Sequence, residues 1–496
     1  MKKFIILTLL LSVSAILSQD INGKLGTGGK FIIRDTSNTF FTVNQVNGSL
    51  NLFEPLQGSQ YGTLLKGSAR FLHTYFPTGS AGFNTFLGIE SGNFTMTGTG
   101  QESTANTGTG YQTLSGLTTG SHNSAYGLQA LYSNTTGSFN CSFGAGTMFN
   151  NTSGKYNAAY GNLSMTFNTT GDSNSAHGFH SLFSNTSGFS NSAFGNKSLH
   201  FNSSGFFNSS FGSRSLYNNT TGFNNDAFGY GALCFNLIGS NNSAFGTGSL
   251  YNNTTGTNNC AFGRTALNSN TIGSNNVAIG PLALYNNILG NQNTTVGYQS
   301  GANITTGNNN ITLGYDAYVP SPSGNNQVRI GNTNITYAGI QVAWSITSDE
   351  RWKENIKPLN LGLEFISKLK PVSYTRKNDN TQKTELGLIA QDFEKALNEC
   401  GTDTKILGML NIDENGNYEI RYNDLFAPII KAIQELKQEN RELEDQKIAE
   451  TTILKNEIES LRNELSSIKE LISTIKNSKD DIKQIKLSEQ LKLSEE

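Results

Sequence analysis

Ser348 and Lys353 stand five residues apart in Thr347-Ser-Asp-Glu-Arg-Trp-Lys353, the one place where residue types and spacing invite covalent chemistry. No histidine occurs after His200, so a Ser-His-Asp triad cannot be assembled from the surrounding segment. A serine nucleophile here would need Lys353 as its base. That requires a neutral amine, produced by burial or by a neighbouring cation. Arg351 offers such a field and Asp349 opposes it. The spacing alone favours a different role, because a serine followed by charged residues usually just caps a helix.

The elements that must position these residues differ in composition from the rest of the chain. Of 496 residues only 15% are charged, against an average near 25%, while glycine occupies 53 positions. The dilution is local. Gly110 to Gly314 holds six charged residues (Lys155, Asp172, Lys197, Arg214, Asp226 and Arg264), whereas Ser348 to Glu496 holds 52 of the chain's 72. A net charge of -2 with no basic cluster argues against a nucleic-acid partner. Eight prolines exclude collagen. Cys141, Cys234, Cys260 and Cys400 are too widely spaced for a zinc site or a redox pair, and nothing points to a metal or another cofactor.

Glycine recurs every 17 residues from Gly110 through Gly195 to Gly314, and a second glycine keeps the same step from Gly120 to Gly307. An apolar column precedes the first glycine (Tyr126, Phe143, Tyr160, His177, Phe194 and onward), and a Leu/Met column follows it by four (Leu114, Leu131, Met148 and onward). Such a period is that of a solenoid whose columns become buried when neighbouring coils stack. Asn191-Ser-Ala-Phe194 alternates like a strand, the two glycines are expected to supply corners with φ > 0, and repeated asparagines can stack their amides. One coil offers little core, so three thin coils around a common axis, a homotrimeric β-roll, are the expected arrangement.

The Asn-Ser/Thr-Ala-Phe-Gly units of Gly110–Gly314 resemble the head repeats of trimeric autotransporter adhesins and of tail-fibre-like proteins. That resemblance implies a stiff rod that binds a surface or glycan, rather than an enzyme. Calcium-binding nonapeptide rolls need an Asp in each turn, and only Asp172 and Asp226 occur. Asn134, Asn151, Asn168, Asn185, Asn219 and Asn253 head N-glycosylation triplets, but their fixed period is also what a structural corner produces. His122, His177, His180 and His200 read as core or surface filling rather than metal ligands, and Cys141 and Cys260 replace the repeat serine as small hydrophobes.

At the amino terminus, Lys2 and Lys3 precede an apolar run to about Leu17, with small residues at Ser14, Ala15 and Ser18. The run falls short of the roughly 20 residues that span a bilayer, so a removed secretory signal over 1–18 is expected, with an uncleaved anchor as the alternative. The mature chain would then carry no integral membrane segment and be secreted or held at a cell surface. Residues 19–109, with alternating runs such as Lys30–Arg34 and Thr39–Val43, read as a β-rich stalk or hairpin region. Residues 315–347 read as a β connector that includes Gln327–Gly331 and Ile340–Trp344.

The motif order beyond it is Thr347-Ser-Asp-Glu-Arg-Trp-Lys353, Pro371-Val-Ser-Tyr374, Glu385-Leu-Gly-Leu-Ile-Ala-Gln-Asp-Phe393 and Tyr422 to Leu436. This order resembles the carboxyl-terminal intramolecular chaperone of endosialidases and phage tail spikes, a self-cleaving serine peptidase family. The resemblance implies a small α/β module over 348–436 that acts once, in cis, cleaving between Thr347 and Ser348 with Ser348 as nucleophile and Lys353 as base. Asp349, Arg351, Asn355, Gln391 and Asp392 are candidate helpers. From Ile429, Ile433, Leu436, Asn440 and Leu443, and after a slip from Leu454 to Ile482, spacings of four and three describe a coiled coil over 429–486, with a loose tail at 487–496. Asn440 at a core position would fix register or oligomer number. The expected fold is mostly β, a trimeric fibre ending in this module. A retained, non-cleaving stalk is the alternative, and a glycan-degrading spike is disfavoured by the scarcity of carboxylates in the array.

Overall fold

A computed structural model describes residues 30–34, 39–44, 50–52, 63–377, 381–403, 407–413 and 416–494. The leader expected at 1–18 lies outside the described residues. Two compact units divide the chain, Met1–Thr333 and Asn334–Glu496.

In the first unit, β1 (Lys30–Arg34), β2 (Thr39–Asn44) and β3 (Leu50–Leu52) form an antiparallel sheet, with Lys30 opposite Asn44. A second ladder begins at β4 (Leu64–Lys66) and β5 (Ala69–His73), which pair antiparallel with each other and then with β6 (Thr85–Leu87). From β6 onward every pairing is parallel and runs in chain order, from β7 (Thr107–Thr109) to β20 (Val328–Ile330). The result is a β-solenoid of about 13 turns. It extends beyond Gly110–Gly314 at both ends. The coil from β6 to β7 is longer than its successors, so its sequence carries no 17-residue echo.

One coil shows how the repeat works. In Ser192–Phe194 the middle residue Ala193 is fully buried, in register with Ala176 and Ser210 of the neighbouring coils, while Ser192 and Phe194 turn outward. The aromatic column is therefore not the core that the sequence led us to expect. The strand alternation allows only one of two adjacent residues inside. The Leu column projecting from the opposite wall, with Leu182, Leu199 and Leu216 fully buried, leaves room there only for Ala, Ser or Thr. The rings instead stack on the outside. Tyr126, Phe143, Tyr160, His177, Phe194 and Phe211 follow one another with centroids 4.5–5.1 Å apart, the spacing of adjacent strands.

The buried leucines carry an unexpected backbone. Leu199 has φ 51° and Leu216 φ 48°, left-handed values that cost a residue with a Cβ about 1–2 kcal/mol. Full burial of the side chain returns about 1.5–3 kcal/mol, so the conformation is affordable in the stack. Of the two repeated glycines only the first supplies a positive φ, as at Gly195 (139°). The second is required for space: a Cβ on Gly205 would lie 2.4 Å from Asn202 Oδ1 and from the carbonyl oxygen of Gly222.

Two asparagine ladders close the interior. Asn151 Nδ2 donates to Asn134 Oδ1 (2.7 Å) and to the carbonyl of Gly154 (3.1 Å), and the pattern repeats at Asn168 and Asn185. In the second ladder Asn208 donates through both its backbone N–H and Nδ2 to Asn191 Oδ1. These amides satisfy backbone groups that a coil without helix or wide sheet would leave orphaned. Asn134, Asn151, Asn168, Asn185, Asn219 and Asn253 are all fully buried in the first ladder, so the folded coil presents none of them as a glycan acceptor.

The start of the stack is covered by β4 and β5. Arg70 donates to the carbonyls of Ser91 (3.2 Å), Glu90 (3.1 Å) and Gly92, and His73 is sandwiched between Phe86 and Phe94. Terminal repeats of a solenoid need such a cap because they lack one neighbour.

The second unit packs α1 (Leu363–Lys368), the antiparallel pair β21 (Pro371–Tyr374) and β22 (Glu385–Leu388), α2 (Ala390–Glu399), the pair β23 (Leu410–Ile412) and β24 (Tyr418–Ile420), and α3 (Phe426–Lys492). Its core is Phe365, Phe393, Leu397, Leu361, Leu410 and Leu425. At 67 residues α3 is roughly 100 Å long, and it continues through 487–492, where a loose tail was expected. Among the described residues no helix is long and apolar enough to cross a membrane.

Candidate functional site

The chain reaches Ser348 as an exposed segment without regular structure and turns immediately. Asp349 caps a single 3-10 turn, Glu350–Trp352, accepting from the backbone N–H of Arg351 at 2.9 Å. The capping role that Ser348 might have taken therefore belongs to Asp349. The turn closes with Lys353 N–H donating to the Glu350 carbonyl (2.9 Å), and this brings the lysine back over the start of the turn. Lys353 Nζ lies 2.7 Å from Ser348 Oγ.

The neighbouring charges are arranged differently from the field that would activate a lysine. Arg351 grips Asp349 with Nε at 3.0 and 3.2 Å and Nη2 at 2.6 Å from its carboxylate oxygens. The guanidinium beside Asp349 holds its carboxyl below the usual carboxylate range. With that cation paired, and with Thr347, Ser348 and Lys353 exposed, the single chain supplies neither burial nor a free positive neighbour at the amine.

Asn355, Gln391 and Asp392 are not joined to this pair: among the described residues none of them bonds to Ser348 or Lys353. Gln391 and Asp392 lie exposed in the first turn of α2, and Asn355 stands at φ 56° in the segment after the turn. Sequence reasoning missed Glu435. Its carboxylate accepts from the Leu363 backbone N–H at 2.6 Å, tying the start of α1 to α3 across 72 residues, and that contact holds it below its ordinary range. It also missed Tyr422, whose hydroxyl accepts from Leu388 N–H at 2.9 Å. Neither contact has a local signature.

Comparison with known proteins places this site at the start of a recognised segment. Residues 348–402 match the family described as the chaperone of endosialidase. The match begins at Ser348 itself, and the chaperone-of-endosialidase segment covers the 3-10 turn, α1, β21, β22 and α2. The chain is also similar to the long tail fiber protein Gp37 of Enterobacteria phages M1 and Ox2, in each case 37% identical over 103 residues. That alignment takes in 20% of this chain and 39% of each relative, so the chain spans about two-fifths of the length of the curated relatives it matches. No solved structure matches it. The chain thus joins a β-solenoid to a carboxyl-terminal segment that matches the chaperone of endosialidase.

Proposed function

We propose that this protein is a secreted, homotrimeric fibre whose carboxyl-terminal module aligns three chains through α3 and then cleaves itself between Thr347 and Ser348. The observation that carries the reading is the 2.7 Å contact of Lys353 Nζ with Ser348 Oγ at the first residue of the matched segment. In this scheme the neutral amine of Lys353 takes the hydroxyl proton as Ser348 Oγ attacks the Thr347 carbonyl carbon. The Thr347–Ser348 C–N bond breaks, the nitrogen receives the proton, and an ester joins Thr347 to Ser348 Oγ. Water hydrolyses that ester, leaving a carboxylate on Thr347 and Ser348 as a new amino terminus. The event happens once per chain.

The exposed stripe of α3, with Ile458, Leu461, Leu465, Ile468, Ile472 and Ile475 each at least half exposed in a single chain, supports assembly with copies of itself. Assembly brings the in-register registration that a slow, non-local β array needs. Residues 1–18 direct export, and the fibre meets a surface or glycan.

The exposure of the pair and the Arg351–Asp349 ion pair favour a second reading, in which the module stays attached as a stalk. A denaturing gel of folded protein separates them. Cleavage gives two fragments that become one full-length band in Ser348→Ala and Lys353→Ala. One full-length band from assembled wild type supports the stalk instead.

A further inference from the structure

The segment ahead of the site has the residue alternation of a strand but forms none in one chain, where Gln341 and Val342 lie in a bend. Ile340, Val342, Trp344 and Ile346 alternate with Gln341, Ala343, Ser345 and Thr347, the period of an extended chain with one apolar face. That face is in water: Val342 is 79%, Trp344 74% and Ile346 71% exposed. From Ile335 to Thr347 no backbone hydrogen bond is made among the described residues. An exposed, uncharged segment with this alternation is the pattern that proteins otherwise blunt with lysine or proline, and neither occurs from Asn332 to Thr347.

Two observations fix what covers it. The segment carries no charge, so it offers no complementarity to an acidic or basic partner, whereas a copy of itself matches it residue for residue. The same unit carries the α3 stripe, whose heptad spacing fits copies of this chain; parallel copies held in register there set each 340–346 segment beside its own counterparts. We infer that residues 340–347 form an intermolecular β-structure with the same segment of the other chains, its apolar face closing on their Trp344 and Val342. This rests on the homotrimer proposed above. The strand ends at Thr347, so cleavage before Ser348 leaves all of it on the fibre, as a clamp at its carboxyl end.

The chain holds two tryptophans, Trp344 and Trp352, so the full-length Ser348→Ala/Trp352→Phe variant reports on Trp344 alone. We expect a trimeric mass by sedimentation together with blue-shifted emission and several-fold weaker acrylamide quenching than an exposed indole. Adding Val342→Glu restores free quenching while α3 keeps the mass trimeric. A trimer whose Trp344 is quenched as freely as in solution overturns the inference and leaves the trimer standing. A monomer overturns both, and a monomer with a shielded Trp344 shows that the strand folds onto its own chain.

Discussion

Asn208→Ala tests whether the asparagine ladder, rather than the apolar columns alone, holds the coils together. Asn208 Oδ1 accepts from Asn225 N–H and Asn225 Nδ2, both at 3.1 Å, and its own Nδ2 donates to Asn191 Oδ1 (3.0 Å) and to the Gly222 carbonyl (2.9 Å). Alanine leaves the Asn225 backbone N–H and one hydrogen of its amide without a partner, while the Gly222 oxygen keeps its bond from Asn219 Nδ2 (3.0 Å). All lie in a fully buried column. At about 1–3 kcal/mol for each of the two orphaned donors, the loss is roughly 4 kcal/mol. Hydrogen exchange of the Asn225 amide reads it directly: protection falls by about a thousandfold, since each 1.4 kcal/mol is a factor of ten. Thr221→Ala, at an exposed position of the same coil, changes protection by less than about threefold. A folded Asn208→Ala protein with unchanged protection at Asn225 would refute the argument, because the ladder would then be a consequence of stacking and not a cause.

The first repeat glycine and the extra glycine that only some coils carry should separate cleanly. Gly195→Ala sets a Cβ 2.6 Å from the Gly212 backbone at φ 139° and should cost about 3 kcal/mol or more, whereas Gly248→Ala, at φ 66° with its nearest contact at 3.3 Å, should cost about 1 kcal/mol, read from thermal midpoints. Burial between Phe86 and Phe94 lowers the pKa of His73 to about 4; the Ser91 carbonyl raises it in part and the Arg70 charge lowers it further. Because the folded value is depressed, the cap's full stability is present above the unfolded value of 6.5 and is lost as pH falls towards 4, by about 3 kcal/mol in all. Proteolysis at Leu64–His73 should therefore rise at pH 4.5, and His73→Phe should flatten that dependence. Asn440→Leu should raise the thermal midpoint of the α3 assembly while broadening its oligomer distribution in sedimentation, as removal of a polar core residue does.

The repeat was legible because glycine and asparagine are needed at fixed points of every coil, and each copy restates the need. Its inside and outside were not. Phe194 is the more hydrophobic residue, yet Ala193 is the one that fits between its neighbours and the Leu column, and hydropathy ranks the two in the wrong order. Leu199 at positive φ was equally hidden, since a leucine gives no local sign of a left-handed backbone that only stacking makes tolerable. The long first coil escaped because one irregular copy has no period. At the site, the five-residue spacing allowed the Ser348–Lys353 contact without requiring it; the deciding element was the Asp349 cap, which makes the turn and at the same time neutralises Arg351. The tie from Glu435 to Leu363 depends on how α1 docks on α3 and lies beyond any local reading.

The central claim is a trimeric fibre released from its own chaperone segment, and the mass of the purified, folded product under native and denaturing conditions tests it most directly. The account predicts a native trimer whose denatured subunits end at Thr347, accompanied by a fragment that begins at Ser348, and neither species from Lys353→Ala. A folded product whose subunits run intact through Ser348, or one that is monomeric, would contradict it.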